Sequence, residues 1–284
     1  MIIQSVAVVG RMRLRMLRLT LFCLCALSGC VTEPITGRKH FDVIPEGTAN
    51  SMGVQAYQQL LTEAKLSTDP RQNDLLQRVG RRISMVTDNR MASEGRPLYQ
   101  WEFKVIDNPK TVNAFALPGG KVAFYSGIFP ITQNEAGIAV VMGHEVGHAY
   151  AQHGRARMSQ EVVAKFGFSA IELFLGGDRA SDSSKLAIAA LGLGYQVGVE
   201  LPFSRGDESA ADEIGLTLMA EAGYDPRDGV AFWERMEAAS GGQGPPEFLS
   251  THPSHASRIQ RIKQLLPRAI LTYEKSRGNP AVTK

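Results

Sequence analysis

At 284 residues, with 44% hydrophobic and 21% charged positions, the chain has ordinary globular composition, enough for one large domain or two small ones, and bulk disorder is excluded. The formal charge of +3 is local: Arg11, Arg13, Arg15 and Arg18 sit in an N-terminal stretch without acids, and once these four are set aside 27 basic residues face 28 acidic ones. No nucleic-acid partner is expected, because binding through a basic face loses its main support.

The arginine-rich segment precedes a short apolar run, Leu19 to Leu27. That run is too short for the ~20 residues of a bilayer span and has the layout of a secretory signal. It ends in Leu27-Ser28-Gly29-Cys30, which resembles the lipobox of bacterial lipoproteins. The resemblance implies a signal peptide over residues 1–29, cut before Cys30, with Cys30 lipidated; a start at Met12 gives that signal a more usual length. Val31, rather than Asp, follows the cysteine, which by analogy with enterobacterial lipoprotein sorting points to the periplasmic face of the outer membrane. Cys23 and Cys25 fall in the removed segment, so no cysteine pair is left for a disulfide and stability must come from core and metal. Residues 30–47, rich in Pro, Gly and Thr, read as a lipidated tether or an extended arm.

Helices are predicted over Ala49–Lys65 and Asp69–Asp88, the second with Leu75, Leu76, Val79, Ile83 and Val86 at helical spacing. Tyr99–Asp107 alternates, with Trp101, Phe103 and Val105 on one face, and reads as a strand. Val112–Leu117 and Lys121–Tyr125 flank Pro118-Gly119-Gly120 as a hairpin or tight strand connection. Thr132 and Glu135 have the spacing of a capping box, and the helix they open runs to His153. From Met158 to Phe203 the chain is apolar and glycine-punctuated. Its smoothest piece, Leu186–Val199, is bracketed by Asp182, Lys185 and Glu200, which favours core or lid helices over a membrane span. Further helices are predicted at Arg205–Ala222, at Pro226–Ala239 behind an Asp225 cap, and at Pro253–Leu266, with Gly241–Pro246 a loop and the tail after Glu274 frayed. The chain is thus α+β and mostly helical, with a small β-sheet beside the metal-binding helix, a domain over residues 48–270 and a flexible tail over 271–284. No internal repeat is found.

His144-Glu145-Val146-Gly147-His148 carries the strongest signal. On a helix the two histidines share a face and can reach one ion, while Glu145 stands beside its open position as general base. A catalytic zinc needs a third protein ligand. The metzincin spacing fails because Ala151 and Gly154 stand where Gly and His are required, and the short-spaced thermolysin pattern fails because Glu172 is followed four residues on by Gly176. His153, about 140° from His148 on a helical wheel, reads as a surface or packing residue. Glu208 fits the third position, and Asp212, one turn later on the same face, can accept a ligand histidine's remaining N–H.

These motifs, together with Ser204-Arg205, Thr251-His252-Pro253-Ser254 and Arg258, and with Pro34-Ile35-Thr36-Gly37-Arg38 and Asn113 to Gly120, resemble the gluzincin peptidase family M48 over about Glu33 to Leu266. That family comprises the Ste-type prenyl-protein proteases and their soluble bacterial relatives. The likeness is greatest to periplasmic lipoprotein metalloproteases linked to outer-membrane assembly; the lack of convincing transmembrane helices argues against prenyl-protein processing. It implies a zincin-like fold, one Zn2+ per chain and endopeptidase chemistry. The implied partners are periplasmic or outer-membrane polypeptides, the membrane through the lipid anchor, and the outer-membrane assembly machinery. Asn113, Ala114 and Phe115 offer a strand edge to an extended substrate, and Arg205 and Arg258 are further candidates for substrate or transition-state contacts. His252 is either an oxyanion donor or a fourth zinc ligand acting as a lid; the lid is favoured. The alternative function is a zinc-stabilised assembly factor with little proteolysis.

Overall fold

The computed structural model describes residues 30–166, 202–239, 246–252 and 257–277. The lid or core helix expected at Leu186–Val199 and the signal segment lie outside the described residues.

The stretch read as a tether folds back on itself. Strand β1 (Cys30–Thr32) pairs antiparallel with β2 (Lys39–Phe41) around a turn in which Gly37 takes a φ of 70°. Glu33, Asp42, Val43 and Ile44 are buried, and the N–H groups of Val43 and Ile44 both donate to Ser159 Oγ, at 3.1 and 3.2 Å. Buried backbone donors with partners hold this segment to the body, so it is part of the fold and not a spacer.

Helix α1 (Glu46–Glu63) is followed by α2 (Pro70–Ser93), where Asp69 caps by accepting from the Arg71 N–H and Pro70 occupies the first turn. Leu76, Val79, Ile83 and Met91 form the buried stripe of α2, and Gly80 lets it approach β3 (Glu102–Ile106): a Cβ there would lie 2.7 Å from the Phe103 ring. Strands β4 (Ala114–Leu117) and β5 (Lys121–Tyr125) form the predicted hairpin, with Gly119 and Gly120 both at φ 84°. The sheet order is β3-β5-β4, with β3 parallel to β5 and β4 at an edge.

Short helix α3 (Phe129–Thr132) precedes α4 (Glu135–Tyr150), which carries both predicted ligand histidines. The cap of α4 is Asn134, whose Oδ1 accepts from the Gly137 N–H at 2.8 Å; Thr132 is spent on α3, donating to the Phe129 carbonyl. The Thr132–Glu135 capping box is therefore corrected. Every residue from Gly137 to Tyr150 is buried, as expected of a helix surrounded by the fold. It stops at Tyr150, because Gln152 adopts a left-handed φ of 60°, and α5 (His153–Phe166) starts in a new direction.

Helix α6 (Arg205–Glu221) opens with a capping box between Ser204 and Asp207. It crosses α4 with backbones in contact, since a Cβ on Gly215 would lie 2.8 Å from the carbonyl carbon of Gly143. Helices α7 (Asp228–Ala239), α8 (Glu247–Thr251) and α9 (Arg258–Arg277) complete the chain. Helix α9 passes the expected ends at Leu266 and residue 270, and Ser276 Oγ donates to the Ala220 carbonyl at 2.7 Å, so the first turns of the supposed tail belong to the body. No helix among the described residues is long and apolar enough to cross a membrane.

Candidate metal centre

Two helices and one loop bring four metal-binding side chains together: His144 and His148 from α4, Glu208 from α6 and His252 just after α8. All four are buried. His144 Nε2 lies 3.1 Å from His148 Nε2, 3.2 Å from His252 Nδ1 and 3.5 Å from Glu208 Oε2. Glu208 Oε1 is 3.3 Å from His148 Nε2 and 3.0 Å from His252 Nδ1. Glu145 is also buried; its Oε1 sits 3.4 Å from His252 Nε2 and has no hydrogen-bond partner.

The outward nitrogens of the two helix histidines are occupied. His144 Nδ1 meets Asp212 Oδ1 at 3.0 Å, and His148 Nδ1 meets His153 Nδ1 at 2.9 Å. Arg258 spans the two buried carboxylates of α6, donating to Glu208 Oε2 at 2.9 Å and Asp212 Oδ1 at 2.7 Å while lying 3.5 Å over the Trp233 ring. Phe203 stacks on His148 with centroids 3.9 Å apart, and Phe248 lies 4.6 Å from the His252 ring.

Burial lowers both helix histidines, His148 well below its ordinary range, which keeps them in the neutral form a metal ligand requires. Burial alone would raise Glu208 and Asp212; Glu208 is nonetheless held far down by His252 and Arg258, and Asp212 is lowered by Arg258 and His144. Glu145 is pushed up to about 7, first by burial and then by the Glu208 charge, against the opposing pull of His252. Burial works against charging His252, yet the flanking Glu145 and Glu208 carboxylates raise it.

The donor set fits zinc. With His144 Nδ1 turned to a carboxylate, its Nε2 carries a lone pair, and a neutral His148 that donates through Nδ1 does the same; two such lone pairs 3.1 Å apart repel unless a cation lies between them. A tetrahedron of ~2.0–2.1 Å bonds has donor separations of roughly 3.3 Å, and the observed 3.0–3.5 Å brackets that figure. Comparison with known proteins agrees: the model of Peptidase family M48 matches residues 70–266. The chain belongs to peptidase family M48. The metal of this metalloprotease family is zinc. The mitochondrial metalloendopeptidase OMA1 of Schizosaccharomyces pombe is 36% identical over 244 residues, covering 86% of this chain and 68% of that protein. OMA1 of Saccharomyces cerevisiae is 37% identical over 186 residues, 62% of this chain and 50% of its own length. The beta-barrel assembly-enhancing protease of Escherichia coli is 28% identical over 250 residues, 86% of this chain and 50% of that protein. The chain thus spans about two thirds of the first relative and half of the other two.

The predicted residues divide. His144, Glu145, His148, Glu208, Asp212, His252 and Arg258 converge. Asn113 is buried at the start of β4, its Nδ2 donating to Glu247 Oε1 at 3.3 Å, and Ala114 and Phe115 are buried in that strand. Arg205 is exposed on the first turn of α6. His153 is neither surface nor mere packing: it is buried between His148 and Glu33, because the break at Gln152 voids the helical-wheel projection. Glu33 and Phe203 were not singled out, and neither carries a spacing signal toward the ligands.

Proposed function

We propose that this chain is a zinc-dependent endopeptidase in which His144, His148 and Glu208 hold the metal and Glu145 is the general base. Its proposed substrates are periplasmic or outer-membrane polypeptides, misfolded ones among them, reached from a lipid anchor at Cys30. The convergence of four buried metal donors on a carboxylate with an unpartnered oxygen carries the reading. When bound, zinc supplies Lewis acidity, lowering the pKa of water from 15.7 to ~7 and polarising a carbonyl oxygen.

The protein groups do the rest. Glu145, with its carboxyl near 7, is matched to take a proton at Oε1 and return it to a leaving amine. Asp212 accepts the His144 Nδ1–H and fixes which nitrogen faces the metal, while Arg258 balances the two α6 carboxylates. Strand β4 is an edge whose Ala116 N–H reaches the Glu145 carboxylate, so an extended peptide laid along Asn113 to Phe115 would run past the base. The lipobox resemblance and the printed name of the Escherichia coli relative support the location and substrate class.

The position of His252 favours the lid. Its Nδ1 stands among the ligand atoms, and a fourth protein ligand closes a zinc site to catalysis. The same closed set keeps the second reading alive, a zinc-stabilised assembly factor. Glu145→Gln is expected to retain zinc and to lose ~10²–10⁴-fold in cleavage of an unfolded test protein; wild-type turnover, with contaminating protease excluded, removes the mechanism. A periplasmic proteome compared between wild type and this variant identifies substrates, and an unchanged proteome favours the assembly factor. His252→Ala is expected to raise basal cleavage with zinc binding intact. Markedly slower cleavage makes His252 a transition-state donor.

A further inference from the structure

Asp212 orients His144; the partner of His148 lies on a different part of the chain. His148 points Nε2 at the ligand cluster, so its Nδ1 carries the proton and needs an acceptor. The atom there is His153 Nδ1, at 2.9 Å. To accept, His153 must be protonated on Nε2, and that nitrogen faces Glu33 Oε1 at 3.1 Å. Both residues are buried, at 2% and 1% exposure, which leaves water little chance to replace either link.

Glu33 is itself fixed. Its backbone N–H donates to the Arg38 carbonyl at 2.8 Å, its carbonyl accepts from Gly37, and Thr36 Oγ1 donates to its second carboxylate oxygen. Arg38 Nη1 adds a charge 3.7 Å from Oε1. The turn between β1 and β2 therefore presents one carboxylate oxygen to His153 in a set direction. Resting on the ligand set proposed above, we infer that Glu33 is a positioning residue of the metal centre: through His153 it sets the tautomer and ring orientation of His148, and the docked N-terminal arm is a working part of the zinc site.

The test measures zinc affinity by chelator competition on the full chain. Glu33→Leu, which leaves no acceptor for His153, and His153→Phe are each expected to weaken zinc by ~10–100-fold, the loss typical when a partner of a ligand histidine is removed. The double variant should be no weaker than His153→Phe alone, because both changes cut one chain of hydrogen bonds. His153→Asn keeps an acceptor, its Oδ1, near the His148 proton but loses the reach to Glu33. It should hold zinc nearly as the wild type does, and adding Glu33→Leu to it should change nothing. That arm also serves if the phenylalanine variant does not fold.

Wild-type zinc affinity in Glu33→Leu overturns the inference, as do losses that multiply in either double variant, since a merely structural Glu33 would act independently of His153. Two zinc ions per chain, one of them lost in Glu33→Leu, would overturn it as well, by making Glu33 and His153 ligands of their own. His148→Ala run in parallel separates the two readings. If it keeps zinc, the ligand set fails; if it loses zinc while Glu33→Leu does not, only the relay fails.

Discussion

His144 and His148 leave one helix a single turn apart, yet their outward nitrogens meet different kinds of support. His144 is backed directly by Asp212, which shares α6 with Glu208 and with it the bridge from Arg258. His148 is backed by a second histidine and then by Glu33, on a turn of the arm 120 residues before His153. The first arrangement is built by the crossing of α6 on α4, with Arg258 of α9 laid across it. The second exists only when an N-terminal segment has also docked. One site therefore combines a side built from core helices and a side that rests on the docked N-terminal arm.

Removing the negative charge on the core side should have the larger effect. Asp212→Asn keeps the shape but takes away the charge that Arg258 and His144 both face, and zinc affinity by chelator competition is expected to fall toward the upper end of the ~10–100-fold range. Glu33→Leu, which removes the acceptor one histidine further from the ligand cluster, should fall toward the lower end. If the arm variant loses more, the direct and relayed sides have been ranked wrongly.

A smaller effect concerns the arm alone. His40 lies 3.3 Å from Asp42 and 3.7 Å from Glu33, with Arg155 3.4 Å from Asp42 and the His153 ring 6.5 Å away. Burial opposes charge on His40, but the two carboxylates raise it from 6.5 to about 9. A pKa raised on folding adds stability that is complete below the unfolded value and disappears as pH rises through the folded one. Melting temperatures of wild type and His40→Asn should therefore differ most below pH 6.5 and converge by about pH 9. A gap that stays constant across this interval would show that His40 contributes by packing and not by charge.

The same contrast explains what could be read from the sequence. His144, Glu145 and His148, and Glu208 with Asp212, are four-residue repeats on single helices, and local periodicity reports them. The hairpin at Gly119-Gly120 announced itself by residue type. His153 was misplaced because Gln152, not a glycine, takes the left-handed conformation that ends α4, and no residue type marks such a break. Thr132 was taken for a cap because it has the right side chain two residues too early. The sequence places Arg258 among candidate substrate contacts, because one arginine near a motif says nothing about the two carboxylates it bridges, and Glu33 is silent because its partner is remote. The α+β fold was legible in outline, from strands that alternate and helices that carry stripes.

The meeting of α4 and α6 sets a tolerance for the whole centre. A Cβ on Gly143 would stand 2.7 Å from the Gly215 carbonyl oxygen, and one on Gly147 would stand 2.9 Å from that of Ala211. Side chains can repack around a neighbour's change of size, but two backbones in contact have nothing to trade. The crossing is in effect a datum surface, and the distance from the two histidines on one helix to Glu208 on the other is gauged from it. An alanine introduced there would act as a shim, widening the spacing between the histidine pair and Glu208 while leaving every ligand in the sequence. The glycines of this crossing thus set the distance between donors that they do not themselves supply.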